Sequence, residues 1–597
     1  MLEASRAELD ATLPEFIEHT PRFAQRIWIF LDTYIWEPIA TGFRFLHLVF
    51  IFVPVVATIP LIWVGTRNPK RDNERWGTIW WYGFLVNSME RAGAAFIKLG
   101  QWAASRTDIF PKEMCSIMSA MHSNAPAHSL RKTKRIIEAA FGGMPFEEIF
   151  EEFQEKPLGV GAIAQVYRAK LKPNLRAMGD SDVEEPTFSE RLKKNVDAIA
   201  KSTPQRVPSS YVAIKVLHPA VDRIVGRDLR IMSAFASIID IIPGMSWFSF
   251  PDQVEQFGEM MKLQLDLRIE SANLSLFRKH FKDRTTAWFP YPYTAYTSRQ
   301  VLVEEFAHGI PLEDFLRNGG GVFQKEIADE GLDAFLHMLL IDNFIHADLH
   351  PGNIMVRFYK PAQVETPWSA SLFGSSNKTH EAPRQTKAGA TEDAPAEAMA
   401  SDDVTEQVLQ RLRPYKNDVT AWSKELVDID REGYRPQLIF IDTGLVTELN
   451  EKNRENFLDL FKAVAEFDGY KAGQLMVARS RQPDTVLDPE VFALRMQHLV
   501  LGVKSRTFAL GNIKIGDILS EVLDMVRSHH VKLEGDFVNV VLSILLLEGI
   551  GRTLDPNLDL FSGYAMLLES YKLLLTCPIG PYQSSGDSEH KEEAYRC

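Results

Sequence analysis

The sequence IHADLHPGNIMV fills residues Ile345–Val356 and decides how the rest of the chain is interpreted. Within it, His346, Asp348 and Asn353 follow the pattern H-x-D-x-x-x-x-N, which is typical of phosphotransfer catalytic loops. In such a loop the carboxylate faces the acceptor oxygen and the amide side chain binds a metal ion. The intervening Pro-Gly pair favours a turn that brings the two side chains together. A solvated turn with a chance Asp and Asn is the alternative, so the interpretation needs support elsewhere in the chain.

A glycine-bearing segment upstream has the pattern of a nucleotide-binding hairpin. Residues 157–169 read PLGVGAIAQVYRA, which fits G-x-G-x-x-G-x-V except that Ala164 replaces the third glycine. Small residues here would let backbone N–H groups approach nucleotide phosphates. The residues predicted to contact the nucleotide are Gly159, Val160, Gly161, Ala162 and Val166. Further on, the strand-like YVAIKV places Lys215 where a V-A-I-K lysine would hold the phosphates.

Two carboxylates complete the predicted catalytic set. Helical patterning from 253 to 281 carries Glu270, which we predict to orient Lys215. The apolar run QLIFIDTG delivers Asp442 two places before Gly444, a D-x-G arrangement that predicts a Mg²⁺ ligand at a strand end. With Asp348 as the catalytic carboxylate and Asn353 as a second Mg²⁺ ligand, these residues predict a site for Mg²⁺ and ATP.

A second strand is predicted to run into a hinge beside the nucleotide base. It reads VLVEE at 301–305, and we place Glu304 and Glu305 where backbone groups would meet an adenine edge. The hairpin, the lysine, the helix glutamate, the catalytic loop and the metal aspartate occur in the order that a protein-kinase-like fold requires. The expected fold is therefore α+β, with two lobes, an N-terminal helical extension and a mostly helical C-terminal lobe.

Composition excludes several other functions. The net charge of −13 argues against a nucleic-acid partner, because proteins grip phosphate backbones with clustered Lys and Arg. The chain has three cysteines, Cys115, Cys577 and Cys597, which lie far apart and do not have zinc-site spacing. The sequence therefore predicts neither a zinc site nor a disulfide framework.

One apolar segment near the N-terminus predicts contact with a membrane. Phe45–Val64 is twenty residues without a formal charge, which is long enough to cross a bilayer as a helix. Pro54 and Pro60 lie inside it, so an apolar segment lying at the membrane interface remains the alternative. The first forty residues are acidic and do not read as a mitochondrial transit peptide.

Taken together, these motifs resemble the UbiB-type, or aarF-domain-containing, atypical kinases, over roughly residues 76–575. The most specific part of the resemblance is the K-x-G-Q signature formed by Lys98, Gly100 and Gln101, which accompanies the H-x-D-x-x-P-x-N loop. In that family the signature helix is held across the mouth of the active site as a lid. The family's E-x-D pair is Gln264 and Asp266 here, and this replacement is most like the aarF-domain-containing kinase two branch.

The resemblance and the composition together predict five regions along the chain. They are an N-terminal helical segment (1–75), a helical extension with the signature (76–150), an N-lobe (151–310) with an insertion at about 172–210, a helical C-lobe (311–580) with a low-complexity insertion at about 361–435, and a disordered tail (581–597). One helix, at about 404–426, is expected to interrupt the low-complexity insertion.

The resemblance implies a Mg-ATP-dependent ATPase, or a kinase of small molecules or lipids, that supports ubiquinone metabolism at the mitochondrial inner membrane. Its implied partners are membrane lipids and ubiquinone-biosynthesis proteins. Conventional protein kinase activity is not expected, because no A-P-E segment follows Asp442 to dock a peptide. A nucleotide-binding scaffold without turnover remains an alternative. A phosphotransferase resembling antibiotic or choline kinases would use the same loop but leaves Lys98 and Gln101 unexplained.

Overall fold

The computed structural model describes most of the chain between residues 27 and 555. The described residues are 27, 30–69, 71, 73–106, 109–119, 121, 127–175, 210–241, 249–282, 284, 286–360, 405–508, 515–533 and 535–555. The predicted insertion at 172–210 lies almost wholly outside them, as do the first part of the low-complexity insertion and the predicted tail.

The strands and helices of the described residues are numbered here in chain order. The strands are β1 (Phe150–Phe153), β2 (Gly159–Val160), β3 (Ala164–Leu171), β4 (Tyr211–Leu217), β5 (Ala287–Trp288), β6 (Val301–Glu305), β7 (Ile310–Pro311), β8 (Ile345–His346), β9 (Ile354–Tyr359), β10 (Arg435–Phe440) and β11 (Val446–Thr447). The helices are α1 (Glu37–Ala57), α2 (Trp76–Ala92), α3 (Ala94–Ser105), α4 (Lys112–Ser119), α5 (Leu130–Ala140), α6 (Phe146–Ile149), α7 (Val221–Asp240), α8 (Phe250–Gln264), α9 (Leu267–His280), α10 (Leu312–Asn318), α11 (Gln324–Leu336), α12 (405–412), α13 (Val419–Arg431), α14 (Glu451–Ala465), α15 (Gly469–Ala478), α16 (Pro489–Phe508), α17 (Ile515–Ser528) and α18 (Gly535–Leu554).

The N-lobe is built on a five-stranded antiparallel sheet in the order β1-β3-β4-β6, with β2 paired to β3. Val212, Ile214 and Val216 of β4 are fully buried in an apolar cluster on one face of this sheet. Because successive side chains of a strand point to opposite faces, Lys215 lies on the other face. The β-branched residues that form the core of the lobe thus also aim the lysine towards the C-lobe.

The C-lobe carries its catalytic segments on short strands. A four-stranded sheet has the order β5-β10-β9-β7, in which β10 and β9 are antiparallel, and β8 pairs with β11 beside it. The predicted catalytic loop joins β8 to β9, and the D-x-G segment joins β10 to β11. These pairings bring two segments that are distant in sequence to the same edge of the lobe. The predicted α+β, protein-kinase-like two-lobed fold is confirmed.

The helical pattern from 253 to 281 predicts one continuous helix, and this prediction is wrong. Two helices, α8 and α9, cover the range. The break falls at Leu265 and Asp266, where Asp266 has an extended backbone (φ −128°) and its side chain accepts a hydrogen bond from the backbone N–H of Arg268. An aspartate that satisfies a free N–H at a helix start stabilises a new helix and ends the preceding one. Asp266 therefore caps α9 and is not on a helix face shared with Glu270.

Residues 405–435 are also more regular than their polar composition predicts. The single helix expected at about 404–426 is two helices, α12 and α13, joined by a 3-10 turn at Arg413–Tyr415. The side chain of Asp418 caps α13 by accepting from the N–H groups of Thr420 and Ala421. Trp422 and Leu426 of α13 are buried, because they pack against the C-lobe core. Tertiary packing thus supplies the apolar burial that this segment lacks on its own.

Candidate active site

Lys215 is held between two carboxylates that come from separate parts of the chain. Its Nζ lies 3.0 Å from both Oε1 and Oε2 of Glu270, and 2.8 Å from Oδ1 of Asp442. The side chain of Glu270 is only 4% exposed, whereas that of Asp442 is 45% exposed. Lysine has three N–H donors, and all three are directed at carboxylate oxygens. The structure thus brings together the predicted strand lysine, helix glutamate and D-x-G aspartate.

The electrostatics of this group follow from burial and opposite charge. Burial alone would lower the pKa of Lys215, but the carboxylates of Asp442 and Glu270 outweigh it and raise that pKa. Burial raises the pKa of Glu270 to about 7, against the attraction of Lys215. Burial would also raise the pKa of Asp442, but the ammonium of Lys215 lowers it, and Lys98 adds to this effect. Lys215 and Asp442 are therefore both charged at neutral pH.

The D-x-G segment is fixed to helix α9 by contacts that are independent of Lys215. Asn273 Nδ2 donates to the carbonyl of Thr443 over 2.8 Å, and Thr443 Oγ1 donates to the carbonyl of Glu270 over 3.3 Å. Asp442 itself has a left-handed backbone (φ +59°), which turns its side chain out of the β10 direction. A Cβ at Gly444 would lie 3.4 Å from Oε2 of Glu270 and 3.5 Å from Oδ1 of Asp442, so the backbone passes close to both carboxylates here.

The catalytic loop is held by the imidazole of His346, which is fully buried. Its Nδ1 accepts from the backbone N–H of Asp348 at 3.2 Å, so Nε2 carries the proton and donates to the carbonyl of Ile441 at 3.1 Å. Burial lowers the pKa of His346, which keeps the ring neutral and this tautomer in place. The ring therefore ties the catalytic loop to the residue that precedes Asp442.

Asn353 closes the same loop from its other end. Its Nδ2 donates to the carbonyl of Asp348 over 2.9 Å, and its own carbonyl accepts from the N–H of Ile441 at 2.9 Å. With the amide nitrogen committed to the loop, the amide oxygen is the atom of Asn353 that can bind a ligand. The loop geometry that the Pro-Gly turn predicts is therefore present.

Most of the predicted site residues line one cavity of about 1840 Å³ between the two lobes. Those that line it are Lys98, Gln101, Gly159, Val160, Gly161, Ala162, Val166, Lys215, Gln264, Glu270, Asp348, Asn353 and Asp442. The signature helix α3 thus contributes Lys98 and Gln101 to the same cavity as the catalytic loop. Among the described residues, Oε1 of Gln264 is buried without a hydrogen-bond partner.

Four predicted residues do not line the cavity. Gly100 is not among the lining residues, and a Cβ there would lie 2.5 Å from Cε of Met121, so the glycine makes room for that side chain. Asp266 is buried and pairs with Arg268. Glu304 and Glu305 are also buried, and the N–H of Glu305 already donates to the carbonyl of Tyr291. The contact between these two residues and an adenine edge stays a prediction.

The buried side chain of Glu304 in β6 is expected to make the stability of the protein depend on pH. It is 8% exposed, and its Oε2 has no hydrogen-bond partner among the described residues. Burial, with repulsion from Glu270, raises the pKa of Glu304 from 4.5 to about 8. The folded state therefore holds a proton between these values that the unfolded state releases, so the free energy of unfolding should fall as the pH rises from about 4.5 to 8.

We predict that Glu304→Gln removes the contribution of Glu304 to this dependence and stabilises the protein by about 2–4 kcal/mol at pH 8 relative to the parent. At pH 5 the two proteins should unfold at similar urea concentrations. Glu155→Gln, at an exposed turn, is the matched control and should leave the pH profile unchanged. Parallel pH profiles for the parent and Glu304→Gln would show that Glu304 is ionised in the fold.

The residues present fit Mg²⁺ and ATP on the chemistry of their donor atoms. The half-exposed carboxylate of Asp442 and the free amide oxygen of Asn353 are the hard oxygen ligands that Mg²⁺ prefers. Lys215 would supply the cation for phosphate oxygens. When bound, the metal would neutralise phosphate charge. The part of the chain described by the structure holds no cluster of three or more His, Cys, Asp or Glu side chains that could bind a metal ion.

Sequence reasoning did not assign the contacts that hold this site together. Asn273 and Thr443 join α9 to the D-x-G segment, and His346 joins the two catalytic segments. One signal was present for Asn273, which follows Glu270 by three residues and so shares its helix face. The hydrogen bond of His346 to Ile441 has no local signal, because its partner is 95 residues away.

Comparison with known proteins places this geometry in a family. The ABC1 atypical kinase-like domain matches residues 120–178 and 205–377, and the UbiB helical domain matches residues 503–559. A relative named ABC1 family protein YPL109C, mitochondrial, from Saccharomyces cerevisiae is 40% identical over 92% of this chain and 77% of its own length. The chain belongs to the ABC1 family.

Two further relatives of this ABC1 family chain show how far the similarity extends. ABC1 family protein C21C3.03, mitochondrial, from Schizosaccharomyces pombe is 40% identical over 88% of this chain and 70% of its own length. A bacterial protein named Probable protein kinase UbiB, from Tolumonas auensis, is 23% identical over 86% of this chain and 73% of its own length. The predicted resemblance to UbiB-type atypical kinases is thereby confirmed, with UbiB proteins more distant than the two fungal relatives.

Proposed function

We propose that this chain is an atypical kinase-like enzyme that binds Mg-ATP and either hydrolyses it or transfers its γ-phosphoryl group to a small molecule or lipid. The observation that carries the proposal is the position of Lys215, within 3.0 Å of Glu270 and 2.8 Å of Asp442, in a cavity shared with Asp348 and Asn353. This arrangement supplies a phosphate-binding cation, two metal ligands and a catalytic carboxylate.

In this proposal each side chain has a defined task. Glu270 fixes Lys215, whose ammonium binds phosphate oxygens, while Asp442 and Asn353 hold the metal. Asp348 accepts the proton of the attacking hydroxyl group or water. Because all three donors of Lys215 are in use, phosphate can replace Asp442 as its partner only when another cation neutralises that carboxylate. ATP binding is therefore expected to require Mg²⁺.

A protein substrate is not part of the proposal. Only Glu448, Leu449 and Asn450 separate strand β11 from helix α14, which leaves no segment for a peptide-docking platform after Asp442. Lys98 and Gln101 also line the cavity from the signature helix. A small acceptor fits this arrangement better than a peptide.

We further propose a mitochondrial location and a role in ubiquinone metabolism. Support for the location comes from the two fungal relatives, whose names place them in mitochondria. The role in ubiquinone metabolism, with lipids and ubiquinone-biosynthesis proteins as partners, rests on the resemblance to UbiB-type proteins. Lipid extracts from cells with and without the gene test this role, and accumulation of a quinone precursor in the deleted cells is the expected result.

A scaffold that binds ATP without turnover is the second candidate function. Two observations favour it. All three N–H donors of Lys215 are already bonded to carboxylate oxygens, and Lys98 and Gln101 occupy part of the cavity wall, so both limit access of a substrate to the site. Replacing Asp348 separates the two functions, because this residue is assigned to proton transfer and not to binding.

The experiment compares ATP binding and ADP release by the full chain and by Asp348→Asn. If the chain is an enzyme, the variant should bind Mg-ATP with similar affinity but release ADP about 10²- to 10⁴-fold more slowly. Equal, near-background ADP release from both proteins, with intact ATP binding, would support the scaffold. Failure of the parent to bind Mg-ATP would reject both functions.

A further inference from the structure

We propose that α1 and the adjoining exposed side of α7 form a surface that binds a lipid bilayer, with α1 lying parallel to the membrane plane instead of crossing it. The proposal does not depend on the chemistry proposed for the active site. It rests on three observations: an outward apolar face, an inward face that is fixed to the protein body, and the absence of charge on the outward face.

The outward face of α1 and of the turn before it is a continuous row of large apolar side chains. Their spacing alternates between three and four residues, which places them on one side of a helix. They are Trp36, Ile39, Phe43, Leu46, Phe50 and Val53, and each is between 48% and 83% exposed. Apolar side chains of this size are rarely left in water in such a row, so the row marks an interaction site.

The inward face of α1 is fixed to the body by charged pairs in its first half. Arg44 forms two hydrogen bonds to Asp228 of α7, at 2.7 and 2.8 Å, and the carboxylate of Asp228 is fully buried. Glu37 pairs in the same way with Arg227, at 2.7 and 3.0 Å. Removing one partner of a buried ion pair leaves an uncompensated charge, which is strongly unfavourable. These pairs therefore keep α1 alongside α7.

The second half of α1 is also attached to the body. The ring of Phe52 contacts that of Phe96 in the signature helix, with 5.1 Å between centroids, and Nε1 of Trp81 donates to the carbonyl of Val55 over 2.9 Å. The protein body thus lies beside α1 along its whole length. A helix that crossed the bilayer would have to carry these contacts, including Asp228, into the hydrocarbon or break them.

The apolar surface extends beyond α1. The ring of Phe45 stacks on that of Phe235 in α7, and Ile238 and Ile241 continue the exposed apolar surface, with exposures of 61% and 80%. After the C-terminal end of α1, the side chains of Trp63, Trp76 and Trp80 are all at least 42% exposed. The basic residues Arg67, Arg71 and Arg75 lie in the same part of the chain. Tryptophan favours the headgroup region of a bilayer, and clustered arginine favours anionic lipids.

The charge pattern favours lipid over a second copy of the chain. Between residues 33 and 57, the acidic and basic side chains are Glu37, Arg44 and His47, of which the first two pair with the body and His47 lies 3.1 Å from Arg44. Helices that pair with each other in water flank their apolar seam with charged residues. The flanks here are apolar and exposed, as at Ile35, Phe45 and Val56. The surface is therefore too broad and too uniformly apolar for such a seam.

Composition alone would predict a different orientation. Residues Asp32–Trp63 are long and apolar enough to cross a membrane, with a mean hydropathy of 2.5, and only 11% of the most apolar window is buried. The predicted span of residues 45–64 is not one helix, because α1 ends at Ala57 and a 3-10 turn, Ile59–Trp63, follows. The parallel orientation is inferred from the ion pairs of Glu37 and Arg44, which hold α1 alongside α7, and not from the hydropathy.

The orientation is tested by measuring the depth of spin labels placed along the row. Ile39, Leu46 and Val53 are replaced singly by cysteine in the full chain, with Cys115, Cys577 and Cys597 replaced by alanine. The labelled proteins are bound to vesicles of phosphatidylcholine with a minority of phosphatidylglycerol, and collisions with oxygen and with a water-soluble nickel chelate report depth. A parallel helix gives the same shallow depth at all three sites.

Three other outcomes would overturn the proposal. A depth that is greatest at Leu46 and falls towards both ends indicates a helix that crosses the bilayer. Labels that stay fully accessible to the nickel chelate indicate no lipid contact. Spin–spin coupling between chains without vesicles indicates that a second copy covers the row.

A second experiment measures binding directly. Phe43 and Phe50 are 70% and 83% exposed, so Phe43→Ser combined with Phe50→Ser should leave the fold intact. We expect vesicle affinity to fall at least about tenfold, since two large apolar side chains no longer enter the lipid. The matched control combines Leu487→Ser with Leu494→Ser, two exposed leucines of the C-lobe, and should bind vesicles as the parent does. Equal losses in both double variants would contradict a specific lipid surface.

Discussion

Replacing Asp442 by asparagine is expected to lower ATP turnover by about a thousandfold while leaving the protein folded. The carboxylate of Asp442 is the half-exposed member of the charged group around Lys215, and it is the predicted Mg²⁺ ligand. The amide has the same shape but no charge, so it neither binds the metal well nor neutralises Lys215. ADP release from the full chain, measured at saturating Mg²⁺ and ATP, checks the result.

The control for this variant is Asp430→Asn. This change removes an exposed carboxylate at the end of α13, which pairs with Arg435 of β10. It should retain the turnover of the parent. Turnover that survives Asp442→Asn at more than a tenth of the parental rate would remove Asp442 from the metal site, whatever the effect of Asp430→Asn.

Replacing Lys215 by methionine is expected to destabilise the fold in a pH-dependent way, in addition to abolishing turnover. The change leaves Glu270, whose side chain is 4% exposed, without its cation. We expect the free energy of unfolding to fall by about 3 kcal/mol at pH 8. The loss should be smaller at pH 6, because the pKa of Glu270, already raised to about 7 beside Lys215, rises further and the carboxyl group takes up a proton.

The sign of this dependence follows from the proton balance. In Lys215→Met the folded state keeps a proton on Glu270 that the unfolded state releases above about pH 4.5, so stability falls as the pH rises through the folded-state pKa. Combining Lys215→Met with Glu270→Leu removes the titrating group and should restore stability at pH 8 without restoring turnover. Urea denaturation at both pH values measures this, and a pH-independent loss in the single variant would contradict the role given to Glu270.

The parts of the site that sequence predicted are those with a fixed local spacing. His346, Asp348 and Asn353 lie within one loop, and the backbone conformation of that loop brings the last two together as the Pro-Gly turn predicts. The alternating burial of β4 likewise determines that Lys215 leaves the apolar face of the sheet. In each case a short-range pattern is enough to determine the direction of the side chain.

Other features depend on contacts that no local pattern contains. Gly100 belongs to the K-x-G-Q signature, but nothing in that motif shows that its missing side chain makes room for Met121. Asp266 lies within the predicted helical range of 253 to 281, but it caps a helix, because the chain has to turn between α8 and α9. The apolar segment near the N-terminus has the composition of a membrane span, but its ion pairs with α7 and its contacts with Phe96 and Trp81 hold it against the protein body.

Calorimetric titration of ATP into the full chain, with Mg²⁺ and then with EDTA, tests the central claim most directly. The claim is that Lys215, Asn353 and Asp442 form a single site for Mg-ATP. It predicts that ATP binds with a stoichiometry of about one when Mg²⁺ is present, and at least about tenfold more weakly without it, because Asp442 then keeps Lys215. Equal affinity in Mg²⁺ and in EDTA would contradict the claim.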